Sequence, residues 1–129
     1  MTEDTSKLKS TAITFVGVRT DKYAEMKEFV EGALGYAKKS EEDGFTAYQS
    51  PQSQRVEIFD VTYPGKEYFI TGPVPGFEVV DFDGAVDWLR RNSYEVLGEI
   101  VTSSSGTRWA HFRGPDGNVY EFVYHPELH

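Results

Sequence analysis

The sequence predicts an α+β fold: two βαβββ modules forming a cup-shaped mixed sheet with the helices outside. Three observations carry this. An apolar strand, an amphipathic helix and a run of further strands occur twice in 129 residues. Pro51 and Pro115, and Glu57 and Glu121, are each 64 positions apart, close to half the chain. Two strongly β-prone runs flank Gly114-Pro115-Asp116-Gly117, the chemistry of a three-residue hairpin loop closed by a glycine bulge.

In the first half, Ile13 to Val18 reads as a buried strand, and Asp21 as the N-cap of a helix. Tyr23, Met26, Phe29, Val30, Ala33 and Leu34 recur at helical spacing, with Lys22, Glu25, Lys27, Glu28 and Glu31 opposite, and Gly35 ends the helix. A short strand near Ala37 to Lys39, a charged turn Ser40 to Gly44, and strands Phe45 to Gln49 and Arg55 to Val61 follow. Thr62 to Pro75 is rich in Pro and Gly and reads as a linker, with Glu67 to Ile70 as an edge strand. The second half offers a strand over Phe77 to Phe82, Asp83 as N-cap, and a helix carrying Ala85, Val86, Trp88 and Leu89. A strand over Tyr94 to Ile100, a polar loop and the closing hairpin complete it. The expected organisation is one domain over 1–129: an arm (1–10), a first module (11–62), a linker (63–76) and a second module (77–125).

Composition narrows the function. At 39% hydrophobic and 15% aromatic, the chain has enough apolar material for a core. A formal charge of -8 argues against nucleic acid, which needs clustered Lys and Arg. No apolar run is long enough for a membrane span. The absence of Cys removes thiolate nucleophiles and Cys-ligated zinc and agrees with a reducing compartment. The polar stretch Met1 to Ser10 lacks a signal peptide's apolar segment, so the expectation is cytoplasmic.

The hairpin also points to a site. Pairing Gly114 with Asn118 sets His111 opposite Glu121, Arg113 opposite Val119 and Trp109 opposite Val123, and opposed residues share a face. One face is then Trp109, His111, Arg113, Val119, Glu121 and Val123. The other, Ala110, Phe112, Tyr120, Phe122 and Tyr124, is a core face, to which Trp88 is also assigned. In the first half, Arg55, Glu57 and Phe59 alternate with Val56 and Ile58 and join the site face by analogy. His111 and Glu121 can serve as an acid/base pair or ligand anchor, or merely as a buried ion pair. Glu57 with Arg55 can hold a polar group, or the two can simply screen each other. Trp109, Phe59 and Phe77 on one face suit a planar ligand, though aromatics at strand spacing are often core. Arg113 lies near the hairpin tip. His125 and His129 fall in an irregular tail, too few and too mobile for a metal site. No phosphate loop, nucleophile elbow or H-E-x-x-H occurs.

The βαβββ duplication, the run V-R-T-D-K-Y-A-E-M-K-E-F-V-E-G-A-L-G-Y and the closing F-R-G-P-D-G-N-V-Y-E-F resemble the vicinal oxygen chelate superfamily over Ile13 to Tyr124. That superfamily holds glyoxalase I, fosfomycin and bleomycin resistance proteins and extradiol dioxygenases. The resemblance implies metal ligands on the first and last strand of each half. The last-strand positions fall at Glu57 and Glu121, whereas Thr14 and Phe77 occupy the first-strand positions, one a poor ligand and the other none. It also implies a homodimer. The expectation is therefore a cytoplasmic homodimer, without cofactor or metal, that holds a small aromatic or amphipathic organic ligand in the manner of the resistance proteins. The ligand would be bound by Arg55, Phe59, Phe77, Trp109 and Arg113. The alternative is a lyase, isomerase or dioxygenase-like enzyme using Glu57, His111 and Glu121 with or without a divalent metal. A domain with a degenerate pocket, serving only in interactions, is the third reading.

Overall fold

The computed structural model describes residues 9–70 and 72–129, so most of the arm expected over 1–10 lies outside the described residues. The chain divides into two compact units: residues 14–75, and residues 76–129 with the short stretch before Thr14. Each carries a βαβββ module, as the doubled pattern predicts.

The N-terminal unit runs β1 (Ala12–Thr20), α1 (Tyr23–Glu28), a π-helical turn (Phe29–Ala33), β2 (Ala37–Glu42), β3 (Phe45–Gln49) and β4 (Arg55–Asp60). Its strands lie in the order β2-β3-β4-β1, antiparallel except for the parallel pair β1–β4. Register divides the sheet into two faces. Val56 and Ile58 stand beside Val16 and Val18 and beside Tyr48 and Thr46. On this side Val30, Tyr48 and Ile58 form a core with Tyr23 and Met26 of α1 packed on it. The opposite side carries Phe15, Gly17 and Arg19 beside Arg55, Glu57 and Phe59.

The first helix departs from its 3.6-residue pattern. Leu34 donates its N–H to the Phe29 carbonyl, an i to i−5 bond at 2.9 Å, so the last turn is widened. The extra residue shifts the helical phase beyond it: Val30 stays buried, while Leu34, expected on the inner stripe, is exposed, and Phe29, also expected there but at the edge of the Tyr23–Met26–Val30 stripe, is exposed as well. Asp21 is not the cap. Lys22 occupies the cap position without a side-chain bond, and the Lys22 N–H reaches the Thr20 hydroxyl instead.

The C-terminal unit runs β5 (Val74–Glu78), α2 (Phe82–Arg91), β6 (Val96–Thr102), β7 (Arg108–Arg113), β8 (Val119–Tyr124) and a 3₁₀ turn (Pro126–Leu128). Strand order is β5-β8-β7-β6, with β5 parallel to β8 and the other pairs antiparallel. β5 begins within the expected linker and ends at Glu78, so the cap of α2 falls at Asp81, not Asp83. Its carboxylate accepts the Gly84 N–H at 3.0 Å. Phe82, Ala85, Val86 and Leu89 form the buried stripe of α2 and meet Ala110, Phe112 and Phe122 of the hairpin. A fully buried Leu such as Leu89 contributes about 1.5–3 kcal/mol through that burial.

The hairpin keeps the expected register. Trp109 opposes Val123, His111 opposes Glu121 and Arg113 opposes Val119. The Gly114 N–H donates to the Asn118 carbonyl at 2.8 Å, and Gly117 takes the φ of +85° that the bulge requires. Glu67 and Tyr68 form a turn, and Phe69 and Ile70 are irregular, in place of the expected edge strand. Among the described residues, no helix is long and apolar enough to cross a membrane.

Candidate functional site: a buried histidine–glutamate pair

The face of the C-terminal unit turned away from α2 is an apolar frame around a few ionisable groups. Leu97, Val119 and Val123 are buried there, with Trp109 half-buried. At its centre His111 and Glu121 are 2% and 3% exposed, with His111 Nε2 2.9 Å from Glu121 Oε1. Hairpin register places both residues: an antiparallel pair brings directly opposed side chains together on one face. Burying a carboxylate and an imidazole costs several kcal/mol per ion, only partly recovered by their attraction. Such a pair can orient one imidazole nitrogen, stabilise its charge, and hand a proton to or from a group placed against it.

The first-strand positions beside the two last-strand glutamates are glycines. Gly76 is the register partner of Glu121, and in the N-terminal unit Gly17 is the partner of Glu57. This corrects the placement implied by the family resemblance. Phe77 stands beside Phe122 on the helix-packed face, its ring 5.9 Å from that of Tyr120, so it does not share a face with Trp109. Thr14, buried at 4%, alternates with Phe15 and so falls on the helix side of β1. His111 and Glu121 supply two donors, short of the three or more that zinc or iron centres use. Among the described residues no group of three or more His, Asp or Glu side chains is arranged to hold an ion. The described residues of this site do not fit a metal centre.

The other expected site residues have definite places. Arg113 is taken up by the turn, donating from Nη1 to the Gly117 carbonyl at 3.0 Å and lying 3.4 Å from Glu95 through Nε. It braces the hairpin and is not directed at His111. In the N-terminal unit, Arg55, Glu57 and Phe59 do share one face. Phe59, 2% exposed, is packed among Phe45, Tyr63 and Phe69, with ring centroids 5.0 to 5.7 Å away. Phe69 belongs to the expected linker, yet it is 3% exposed and covers that face.

Sequence reasoning missed Glu78. This residue of β5 is the register partner of Val123 and so lies on the His111–Glu121 face, 1% exposed. The His125 backbone N–H donates to Oε2 at 2.6 Å, and the ring Nδ1 lies 2.6 Å from Oε1. His129 Nε2 lies 3.0 Å from Oε2, its ring stacked on Tyr124. The tail expected to be mobile is thus docked on a buried carboxylate. The signal was a lone acid in the run F-E-V-V.

Comparison with solved structures shows the same fold. The chain is similar to a glyoxalase/bleomycin resistance protein/dioxygenase superfamily member from Vibrio splendidus 12B01, at TM-score 0.63 and 15% identity over 86% of this chain and 97% of that one. It is similar to a methylmalonyl-CoA epimerase from Mycobacterium tuberculosis, at TM-score 0.64 and 18% identity over 95% and 94%. A hypothetical protein from Bacillus halodurans C-125 aligns at TM-score 0.63 and 15% identity over 88% and 94%. A search of curated proteins gave no match. The duplicated module and the closing hairpin agree with a family model spanning residues 12–122, and the chain belongs to the Glyoxalase/Bleomycin resistance protein/Dioxygenase superfamily.

Proposed function

We propose that the protein binds a small aromatic or amphipathic organic molecule, with the His111–Glu121 pair as its polar anchor and Trp109 as a flat apolar contact. The observation that carries this reading is the near-complete burial of that pair, at 2% and 3% exposure, framed by Leu97, Val119, Val123 and Trp109. A buried polar pair so placed is a weak source of stability compared with apolar residues of the same volume, and recognition is the account of it proposed here. Binding sites of this kind combine apolar walls with a few fixed polar groups. No metal enters the reading; the homodimer is carried over from the superfamily, and the cytoplasm from the absence of Cys, which suits a reducing compartment.

A second reading is an acid/base enzyme. The similarity to a methylmalonyl-CoA epimerase favours it, together with an imidazole already set beside a carboxylate. In that case Glu121 positions and charges His111, and His111 moves the proton.

The test begins with protein purified without chelator. Elemental analysis and titration with divalent ions should find no stoichiometric metal, and bound metal that disappears in Glu121→Gln would sink the metal-free reading. A thermal-shift screen of aromatic metabolites, acyl thioesters and antibiotics should then give stabilisation that His111→Gln and Glu121→Gln remove. Recovery of unchanged ligand supports the binder. A product peak by mass spectrometry transfers the pair to the enzyme reading. Light scattering reads the oligomeric state in the same preparation.

A further inference from the structure

The helix-packed face of the C-terminal unit holds a second feature, on the side away from His111 and Glu121. At the tip of the closing hairpin, Phe77, Phe112, Pro115, Asp116 and Tyr120 line a recess of about 390 Å³. Three of its five residues are aromatic. Phe112 is 7% exposed, while Phe77 and Tyr120 are half-buried and Pro115 and Asp116 exposed. The Tyr120 ring lies 25° from parallel to Phe77 and 30° from Phe112, with centroids 5.9 and 6.1 Å away. The turn is shaped around that ring: a Cβ on Gly114 would stand 2.6 Å from Tyr120.

The one charge in the recess is held in place. The Tyr120 hydroxyl donates to Asp116 Oδ2 at 2.6 Å, Asn118 Nδ2 donates to the same oxygen at 3.0 Å, and the Asn118 N–H donates to Oδ1 at 3.1 Å. These donors, the Tyr120 hydroxyl first, keep the Asp116 carboxyl below the ordinary carboxylate range, so it is ionised at neutral pH. Arg113, also at the tip, is engaged by the Gly117 carbonyl and Glu95.

We propose that this recess is a binding site for a small organic cation carrying a flat or bulky apolar group, such as a quaternary ammonium or a protonated aromatic amine. Aromatic faces present negative charge and attract such cations, and a neighbouring carboxylate adds a charge of the required sign. An anion would meet Asp116 and a chain of net charge -8, whereas a neutral ligand would gain no charge–charge attraction from the carboxylate. The site shares no residue with the His111–Glu121 pair and stands or falls independently of the function proposed above.

The probe is benzyltrimethylammonium chloride, titrated into the full ¹⁵N-labelled chain and followed by two-dimensional amide NMR. Saturable shifts are expected at Phe77, Gly117, Asn118 and Tyr120, with benzyl alcohol binding more weakly by roughly threefold to thirtyfold. Asp116→Asn, an exposed change to a residue that also suits turns, should weaken the cation by about threefold to tenfold while leaving benzyl alcohol unchanged. Tyr120→Leu should abolish both, and the dispersion of the spectrum reports whether that variant is folded. Added salt should weaken the cation alone. The proposal is overturned by an absence of shifts at millimolar probe or by equal binding of the neutral alcohol. Undiminished cation binding in Asp116→Asn also overturns it, as do shifts at the tip that follow protein concentration rather than probe, which would mean that a second copy of the chain fills the recess.

Discussion

Glu78 accepts the backbone N–H of His125 at 2.6 Å and lies 2.6 Å from its ring Nδ1, across 47 residues of chain. The tail is therefore fastened to β5 through a carboxylate that is 1% exposed. Removing that carboxylate takes the partner from a buried N–H and a buried ring nitrogen at once. Glu78→Ala is expected to destabilise the fold by about 2–4 kcal/mol in urea unfolding, and Glu78→Gln, which keeps one acceptor, by less. His129→Ala, at the more exposed end of the cluster, should cost less than His125→Ala. A Glu78→Ala midpoint equal to the parent's would show that the tail is not fastened this way.

Gly17 lies under an aromatic plug. A Cβ at this position would stand 2.8 Å from the Phe15 ring and 2.9 Å from the Phe69 ring, so β1 must be bare where Phe69 packs. Gly17→Ala is expected to destabilise by about 1–3 kcal/mol through overpacking. Phe69→Leu should return part of that loss, giving a favourable coupling energy in a double-mutant cycle measured by thermal unfolding. Additive effects would mean that the two residues do not press on each other.

Tyr48 and Tyr63 should titrate at about 12, and Tyr120, whose hydroxyl bonds to Asp116, is also raised above the ordinary value. Burial first, then the Glu31 charge, pushes Tyr48 up to about 12, while the hydrogen bond to Glu42 pushes Tyr63 up to about 12. Both folded values lie above the ordinary 10.0. The stability they contribute is thus complete below pH 10 and is lost as pH rises through about 12, because the unfolded chain releases these protons first. Ultraviolet titration should show two phenolates forming at about pH 12, and Tyr48→Phe and Tyr63→Phe should each remove one. Titration of both with the bulk would refute the assignment.

The legible and illegible parts of the chain differ for physical reasons. The closing hairpin can be registered from sequence because Gly114-Pro115-Asp116-Gly117 specifies one loop length, and register then fixes every pair, His111 with Glu121 included. Parallel strands have no such local marker. The faces of Phe77 and Thr14 depend on how β5 lies against β8 and β1 against β4, pairings between residues some 40 positions apart in each half. Gly17 and Gly76 carry no side chain and so leave no trace in an alternation pattern. The wide turn after α1 is invisible to a 3.6-residue period, which is why that period places Leu34 inside. Glu78 shows the converse: its burial makes sense only with His125 and His129 beside it, and nothing local in the tail announces that docking.

Glu41 gives the acid side of the pH profile. Lys27 of α1 and Lys38 of β2 both donate to its carboxylate, the Lys38 bond at 3.1 Å, and the Thr46 hydroxyl lies 3.3 Å away. The bond from Lys27 first, then that from Lys38, lowers the Glu41 carboxyl from 4.5 to about 2. A folded value below the unfolded one contributes stability that is present above pH 4.5 and lost as pH falls through about 2. Because the group is exposed, solvent and salt screen the effect, and it should be small. The expected result is a shallow fall in unfolding midpoint below pH 4.5 at low ionic strength, weaker in Glu41→Gln and weaker in high salt. A slope in Glu41→Gln equal to the parent's would assign the acid sensitivity to other carboxylates.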